Sequence, residues 1–100
     1  MIEVRQTEIY ASWFRRLRDD QARFRILTRI RRLSLGNFGD IKTLGDGISE
    51  LRIDYGPGYR VYLHQKGDVL VILLAGGSKK TQPADIAKAK ALARELSDEC

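Results

Sequence analysis

The 100-residue sequence has one cysteine, one histidine and two prolines, and these scarcities exclude several kinds of protein. Cys100 is the last residue, so no internal disulfide, zinc knuckle or thiol dyad can be built from it. We therefore expect a chain from a reducing compartment, the cytoplasm, without a cysteine-based metal site.

Long apolar runs and leader segments are also missing. The longest apolar run, residues 69–75, has the length of a strand and falls far short of the roughly 18 residues that span a bilayer. The N-terminus, Met-Ile-Glu-Val-Arg, does not combine a charged region with an apolar one, as a secretory signal does. The sequence thus predicts neither a membrane contact nor export.

Charge is what the sequence has in quantity. Its composition, 43% hydrophobic and 31% charged, is typical of a globular protein, and the length predicts one domain over residues 1–100. The formal net charge is +5, and residues 1–40 hold nine arginines against five acidic residues. A basic surface attracts polyanions such as nucleic acid, and it could equally serve an acidic protein partner.

The first third of the chain predicts a strand and two helices. Residues 2–6 alternate in polarity, as a short strand does. Two stretches then repeat apolar residues at helical spacing, divided by Asp19-Asp20: Ile9, Tyr10, Trp13, Phe14 and Leu17, followed by Ala22, Ile26, Leu27, Ile30 and Leu33. Thr7 and Asp19 are suited to cap the helices, and Gly36-Asn37 to end the second. A two-helix hairpin is expected over residues 7–35.

The remainder changes to a period of two and predicts a sheet followed by a helix. Strands are expected at residues 48–55, 59–65 and 69–75, with turns at 56–58 and 66–68. The last apolar run suits a central strand covered on both faces, and Gly76-Gly77-Ser78 ends it. A helix follows from Thr81, with Pro83 in its first turn. The fold class is α+β, with an antiparallel sheet on which the helices pack.

One face of the predicted hairpin collects polar side chains. A three-residue loop would place Asp54 opposite Arg60, Arg52 opposite Tyr62 and Glu50 opposite His64. Alternation alone already places these six residues on one face, whatever the register. A solvated hairpin face carries the same pattern, so a structural interpretation stays open beside a chemical one.

A second polar segment follows the last strand, Gly-Gly-Ser-Lys-Lys-Thr-Gln at residues 76–82. A glycine-rich turn beside a helix N-terminus presents free N–H groups to an anion. Together with Arg52 and Arg60, the lysines Lys79 and Lys80 would line a cleft suited to a phosphodiester. The sequence has no acidic cluster suited to a divalent metal, so cleavage in such a cleft would have to be metal-free, by attack of an RNA 2′-hydroxyl on its own phosphate. His64 is a candidate base for that reaction or, alternatively, a hydrogen-bonded surface residue.

Residues 47–63 and 71–89 resemble the RelE/ParE toxin superfamily, most closely its HigB-like branch, the addiction-module killer proteins. The most specific stretches are Glu-Leu-Arg at 50–52, Gly-Tyr-Arg-Val-Tyr at 58–62 and Gly-Gly-x-Lys-x-Thr-Gln at 76–82. The resemblance covers essentially the whole chain. It implies a RelE-like fold and a toxin paired with an antitoxin, commonly a helix-turn-helix, HigA-like protein, in a hetero-oligomeric complex. RelE-type members are metal-independent endoribonucleases that cut messenger RNA on the ribosome, and no cofactor is implied.

The resemblance also implies roles for single residues. Arg60 matches the arginine that holds the scissile phosphate, Arg52 falls near a basic position of RelE-type sites, and Lys79 or Lys80 takes the place of a late basic residue. Glu50 stands where RelE has lysine, and Gln82 or Asp85 stands where some members place a tyrosine. The expected catalytic residues are Arg60, Arg52, Lys79, Glu50 and His64. The expected phosphate-binding residues are Lys80, Gln82 and Arg60.

Two further functions compete with ribonuclease activity. ParE-type members of the superfamily inhibit DNA gyrase without cutting RNA, and the lack of the family tyrosine keeps that alternative open. A non-catalytic module could instead bind nucleic acid or protein through its arginine-rich helices. For a neutralising partner, we expect an acidic antitoxin segment to contact Arg25, Arg29 and Arg32, on the polar face of the second helix.

Overall fold

The computed structural model describes residues 1–98 and shows an α+β fold of five strands and three helices within them. The elements, in chain order, are β1 (Glu3–Gln6), α1 (Glu8–Arg16), α2 (Asp20–Ser34), β2 (Ile41–Gly45), β3 (Ile48–Ile53), β4 (Tyr59–Lys66), β5 (Leu70–Ser78), a 3-10 turn (Lys79–Thr81) and α3 (Gln82–Asp98). The predicted fold class is confirmed. The expectation for Cys100 lies outside the described residues.

The helical hairpin begins and ends at the predicted polar residues. The Thr7 hydroxyl accepts a hydrogen bond from the backbone N–H of Tyr10 and donates one to the carbonyl of Leu74, 2.6 Å away. The Asp19 carboxylate caps α2 by accepting from two backbone N–H groups. Gly36, with φ of +94°, ends α2 in the left-handed region that favours glycine. The hairpin prediction over residues 7–35 is therefore confirmed.

The sheet has the strand order β1-β5-β4-β3-β2. Three consecutive hairpins make β2 to β5 antiparallel, of which the two from β3 to β5 were predicted, but β1 pairs with β5 in parallel. The expected antiparallel sheet is therefore present from β2 to β5, and β1 adds a parallel strand at its edge. The helical hairpin and the meander that follow β1 form the long crossover that a parallel pair requires. The prediction of β5 as a strand covered on both faces is confirmed, since α1 and α3 pack on it.

Strand β2 was not predicted. It is a short edge strand whose residues are half-buried or exposed, so its composition carries little strand signal. The turn that follows did carry one, because Asp46-Gly47 is a typical hairpin dipeptide. Both residues adopt positive φ angles, 57° and 75°.

The β3–β4 register differs from the expected one by two residues. The loop has five residues, 54–58, so Arg52 lies opposite Arg60 and Glu50 lies opposite Tyr62. A shift of two preserves the alternation, and the predicted polar face is real within the two strands. Asp54 has left the sheet and belongs to the loop.

Each face of the sheet carries its own core. On the α1–α2 face the fully or nearly fully buried members are Tyr10, Ile26, Leu33, Leu51, Ile53, Val61, Leu63, Val71 and Leu73. On the other face α3 covers Ile48, Tyr62 and Leu74 with its Ala89 and Ala93. The polar face of the hairpin is thus not the solvated surface that a structural interpretation assumed. Leu27, predicted on the apolar stripe of α2, is 54% exposed instead.

An extra residue in β5 interrupts the alternation of side chains along the strand. Tyr62 pairs with Ala75 but Leu63 pairs with Leu73, so Leu74 is a bulge. After it, Gly76 faces α1 and Gly77 faces α3. A Cβ on Gly76 would lie 2.2 Å from a ring carbon of Trp13, which shows that the indole packs directly on the strand backbone.

Candidate functional site

A cleft of about 420 Å³ opens where β3 and β5 end and β4 begins. It is lined by Asp40, Arg52, Ile53, Asp54, Gly56, Pro57, Gly58, Arg60 and Lys79. Three of these side chains are cationic and come from different parts of the chain: Arg52 from β3, Arg60 from β4 and Lys79 from the turn after β5. The structure brings together three of the predicted site residues.

Strand pairing explains why the three cations meet. Arg52 and Arg60 are direct partners across the β3–β4 ladder, and Arg60 pairs with Gly77 on its other side. Lys79 follows two residues later, and its backbone N–H donates to the carbonyl of Gly58, 2.8 Å away. That bond ties the turn after β5 to the β3–β4 loop, so the lysine and the two arginines border one cavity.

Glu50 lies beneath the two arginines and has none of its surface exposed. One of its carboxylate oxygens, Oε1, lies 3.6 Å from Nε of Arg52 and 3.7 Å from Nε of Arg60. Like charges directly across a ladder repel each other, and the buried carboxylate offsets that repulsion. The Arg60 side chain, only 8% exposed, is thereby held at the floor of the cleft.

Gln82, the first residue of α3, completes this arrangement. Its side-chain Nε2 donates to both Glu50 oxygens, at 2.8 and 3.0 Å. Glu50 and Gln82 were predicted to act on RNA directly, as a catalytic residue and a phosphate ligand. The structure turns them toward each other, because α3 covers this part of the sheet. Their predicted action on RNA stays a prediction, and their contacts are those of residues that hold Arg60 in place.

Two other predicted residues lie away from the cleft. His64 pairs with Ile48, about 13 Å along β4 from Arg60 at the usual rise per residue, and its Nδ1 lies 3.1 Å from the carbonyl of Gly47. It does not border the cavity that holds the cations. Lys80 is exposed and likewise lies outside the lining.

The glycine segment does not form the anion-binding turn that was predicted. Gly76 and Gly77 continue β5 and pair with Val61 and Arg60 of β4. Their role is steric instead: Gly77 leaves room for the carboxylate of Asp85, which would lie 1.9 Å from an added Cβ.

Sequence reasoning missed Asp40 as a wall of the cleft, and it named Asp54 on the polar face without giving it a role. Asp40 precedes β2 in a segment with no recognisable motif, so nothing in the sequence placed it here. The side chain of Asp54 makes no hydrogen bond or ion pair with any residue in the part of the chain described, 1–98, and Asp54 lines the cavity. The cleft therefore offers carboxylates beside its cations.

The three α2 arginines predicted to contact an antitoxin have different environments. Arg29 donates to the carbonyls of Arg52, Phe38 and Asp40, the last two at 3.2 and 3.1 Å, and so joins α2 to the cleft wall. Burial lowers its pKa below the ordinary value, with Asp40 opposing the shift. Arg29 thus stabilises the fold through these bonds, and its predicted contact with an antitoxin stays a prediction. Arg25 lies 4.8 Å above the ring of Tyr55, and Arg32 is exposed.

The family model described as "Phage derived protein Gp49-like (DUF891)" matches residues 12–97, a range that includes every residue of the cleft. The chain belongs to the Gp49-like family. An uncharacterized protein of Haemophilus influenzae is 55% identical over 95 residues, which make up 95% of this chain and 96% of the relative.

The Gp49-like family is associated with toxin–antitoxin systems. Membership indicates that this chain is the toxin of such a pair, and it implies an antitoxin partner. The predicted function is confirmed to this extent. Placement of this Gp49-like chain within the RelE/ParE superfamily, and its ribonuclease activity, stay predictions. Within residues 1–98, no helix is long and apolar enough to cross a bilayer, and no group of three His, Cys, Asp or Glu is placed to hold a metal ion.

Proposed function

We propose that this protein is an endoribonuclease toxin that cuts messenger RNA, without a metal ion, at the cleft of Arg52, Arg60 and Lys79. The observation that carries the proposal is the convergence of the three cations in one cavity, with Arg60 fixed from below by the buried Glu50. A preorganised guanidinium stabilises charge that develops on a phosphate, because it needs no rearrangement during the reaction. Cleavage on the ribosome, in the cytoplasm, follows from the resemblance to RelE-type toxins.

The reaction is an internal transfer at phosphorus. The 2′-oxygen of one nucleotide forms a bond to the adjacent phosphorus, and the bond from phosphorus to the 5′-oxygen of the next nucleotide breaks, which leaves a cyclic phosphate. Arg60 and Arg52 neutralise the additional charge on the phosphorane oxygens. The proton of the 2′-hydroxyl passes to a carboxylate of the cleft wall, Asp40 or Asp54, and the ammonium of Lys79 protonates the departing oxygen.

Controlled expression with mapping of transcript 5′ ends tests the proposal. Wild-type protein should stop growth and create new 5′ ends inside coding regions, and those ends should disappear when translation is blocked. Lys79→Ala should remove most of both effects, whereas Lys80→Ala, its exposed neighbour outside the cleft, should retain them. Equal immunoblot levels of the two variants provide the control for folding.

The competing functions give different results. Growth arrest with intact transcripts and broken DNA would assign the protein to gyrase inhibition and overturn the proposal. A folded protein that causes no growth arrest would indicate a non-catalytic binding module. Equal activity in the two lysine variants would remove Lys79 from the chemistry.

A further inference from the structure

A groove of about 420 Å³ runs along α2 and meets the cleft. We call it the α2 groove, and its lining is Gln21, Phe24, Arg25, Thr28, Arg29, Arg32, Ile53 and Asp54. Ile53 and Asp54 line both cavities, so the groove is a continuation of the cleft on the α1–α2 side of residue 54. An extended ligand that leaves the cleft past Asp54 enters this groove.

The lining of the α2 groove has the chemistry of a single-stranded nucleic-acid site. Phe24 is 67% exposed, an unusual position for an aromatic ring, and it offers a face on which a base can stack. Arg25 and Arg32 are the cations beside it, because the third arginine, Arg29, is held by backbone carbonyls.

The spacing of the two arginines favours a long ligand. Arg25 and Arg32 are seven residues apart, which is about 10 Å along a helix axis, and both border the same groove. Tyr55, whose ring lies under Arg25, donates from its hydroxyl to Asp19 and is fixed by that bond. The side chain of Arg25 is therefore held in position by the ring of Tyr55.

Resting on the proposed ribonuclease function, we infer that the α2 groove binds the single-stranded RNA that flanks the cleaved phosphate, with a base stacked on Phe24 and phosphates at Arg25 and Arg32. Continuity with the cationic cleft favours RNA over a protein segment, since the same strand must extend beyond the bond that is cut. Phe24, Arg25 and Arg32 then form a binding site that is separate from the residues that transfer protons.

Binding of uncleavable RNA tests the inference without activity as the readout. Fluorescence anisotropy is measured with a 2′-O-methyl oligonucleotide long enough to cover both cavities and with a trinucleotide that fills only the cleft. Phe24→Ala should weaken binding of the long oligonucleotide about tenfold, the usual effect of losing one stacked base. Arg32→Gln should also weaken it, through loss of a phosphate contact, and both variants should bind the trinucleotide as wild type does. Arg31→Gln, an exposed α2 neighbour that does not border the groove, is the matched control and should bind as wild type.

Salt dependence adds a second measure. Loss of one phosphate contact should reduce the slope of log affinity against log salt by about 0.7 in Arg32→Gln and not in Phe24→Ala. Unchanged affinity of both variants for the long oligonucleotide would leave the groove to a protein partner and overturn the inference, as would equal loss with the trinucleotide. If RNA binding depends on the α2 groove but the toxin leaves transcripts intact in cells, the result contradicts the cleavage proposal and not this inference.

Discussion

Gln82 and Glu50 form a buried pair in which one amide nitrogen contacts both oxygens of one carboxylate, at 2.8 and 3.0 Å. The pair joins the first residue of α3 to the middle of β3. It explains why an acid can be fully buried here: the amide donates to it and two guanidiniums lie less than 4 Å away. The cleft thus depends on a helix that does not line it.

The substitution Glu50→Gln tests whether this acid positions Arg60 or acts on RNA itself. We expect it to lower the free energy of unfolding by about 3 kcal/mol, because removal of one partner leaves the buried Arg60 uncompensated. RNA cleavage should fall as well, since the guanidinium loses its fixed place. Urea denaturation measures the free energy of unfolding, and an unchanged dependence of that free energy on urea concentration shows that the two proteins can be compared. A fully stable Glu50→Gln protein that has lost cleavage would instead show that Glu50 acts in the reaction.

Arg29→Ala should destabilise the protein although Arg29 lies outside the cleft. Its guanidinium satisfies carbonyls of Arg52, Phe38 and Asp40, and truncation leaves these without that donor at an expected cost on the order of 2 kcal/mol. Arg31→Ala on the same helix is the control and should change stability little. Thermal unfolding of the two variants compares them directly, and equal melting temperatures would refute the structural role of Arg29.

Gly76→Ala should be much more harmful than Gly77→Ala. A methyl group at residue 76 meets the ring of Trp13, which is packed in the core, and overpacking of this kind costs about 2 kcal/mol or more. At residue 77 the nearest atom is the end of the Asp85 side chain, which can rotate away. A second change, Trp13→Leu, should reduce the cost of Gly76→Ala in a double-mutant cycle. Purely additive effects would contradict the contact.

Two tyrosines predict loss of stability in alkali. Burial raises the pKa of Tyr62 and of Tyr10 above the ordinary value of 10.0, and Glu50 adds to the effect on Tyr62. Above about pH 10 the unfolded chain loses these protons while the folded chain keeps them, so the free energy of unfolding decreases as the pH rises. Below pH 10 both states are protonated and the contribution is constant.

Tyr62→Phe isolates one of these groups. The Tyr62 hydroxyl is buried without a hydrogen-bond partner in the described chain. Its removal should therefore raise stability at neutral pH by about 1 kcal/mol and flatten the decline above pH 10. Urea midpoints measured at several pH values decide this, and a Tyr62→Phe protein that is less stable at neutral pH would reveal a partner for the hydroxyl.

The sequence predicted the elements better than it predicted what covers them. Hydrophobic periodicity located both helices of the hairpin and the strands β3, β4 and β5 within a few residues, because these carry strong apolar patterns. Alternation also put Glu50, Arg52 and Arg60 on one face correctly. It could not show that α3 lies over that face, since burial of Glu50 depends on a helix that begins 32 residues later.

The residues that border the cleft were harder to predict from the sequence, for a similar reason. His64 shares a face with Arg60, yet a position four residues along an extended strand is too distant to border the same cavity. Asp40 reaches the cleft only through the loop before β2, a strand whose half-exposed residues gave no signal. Arg29 resembled a surface cation by helical phase, and only the neighbouring carbonyls reveal its contacts.

The bulge at Leu74 is a point where the length of β5 can change without disturbing the cleft. Deletion of this one amino acid would remove the unpaired position and leave Ala75, Gly76 and Gly77 opposite their present partners in β4. Lys79 would still emerge beside both arginines, and the loss would fall on the α3 core and on the bond from Thr7 to the carbonyl of Leu74. Homologues with and without this extra residue can therefore share the same arrangement of cations.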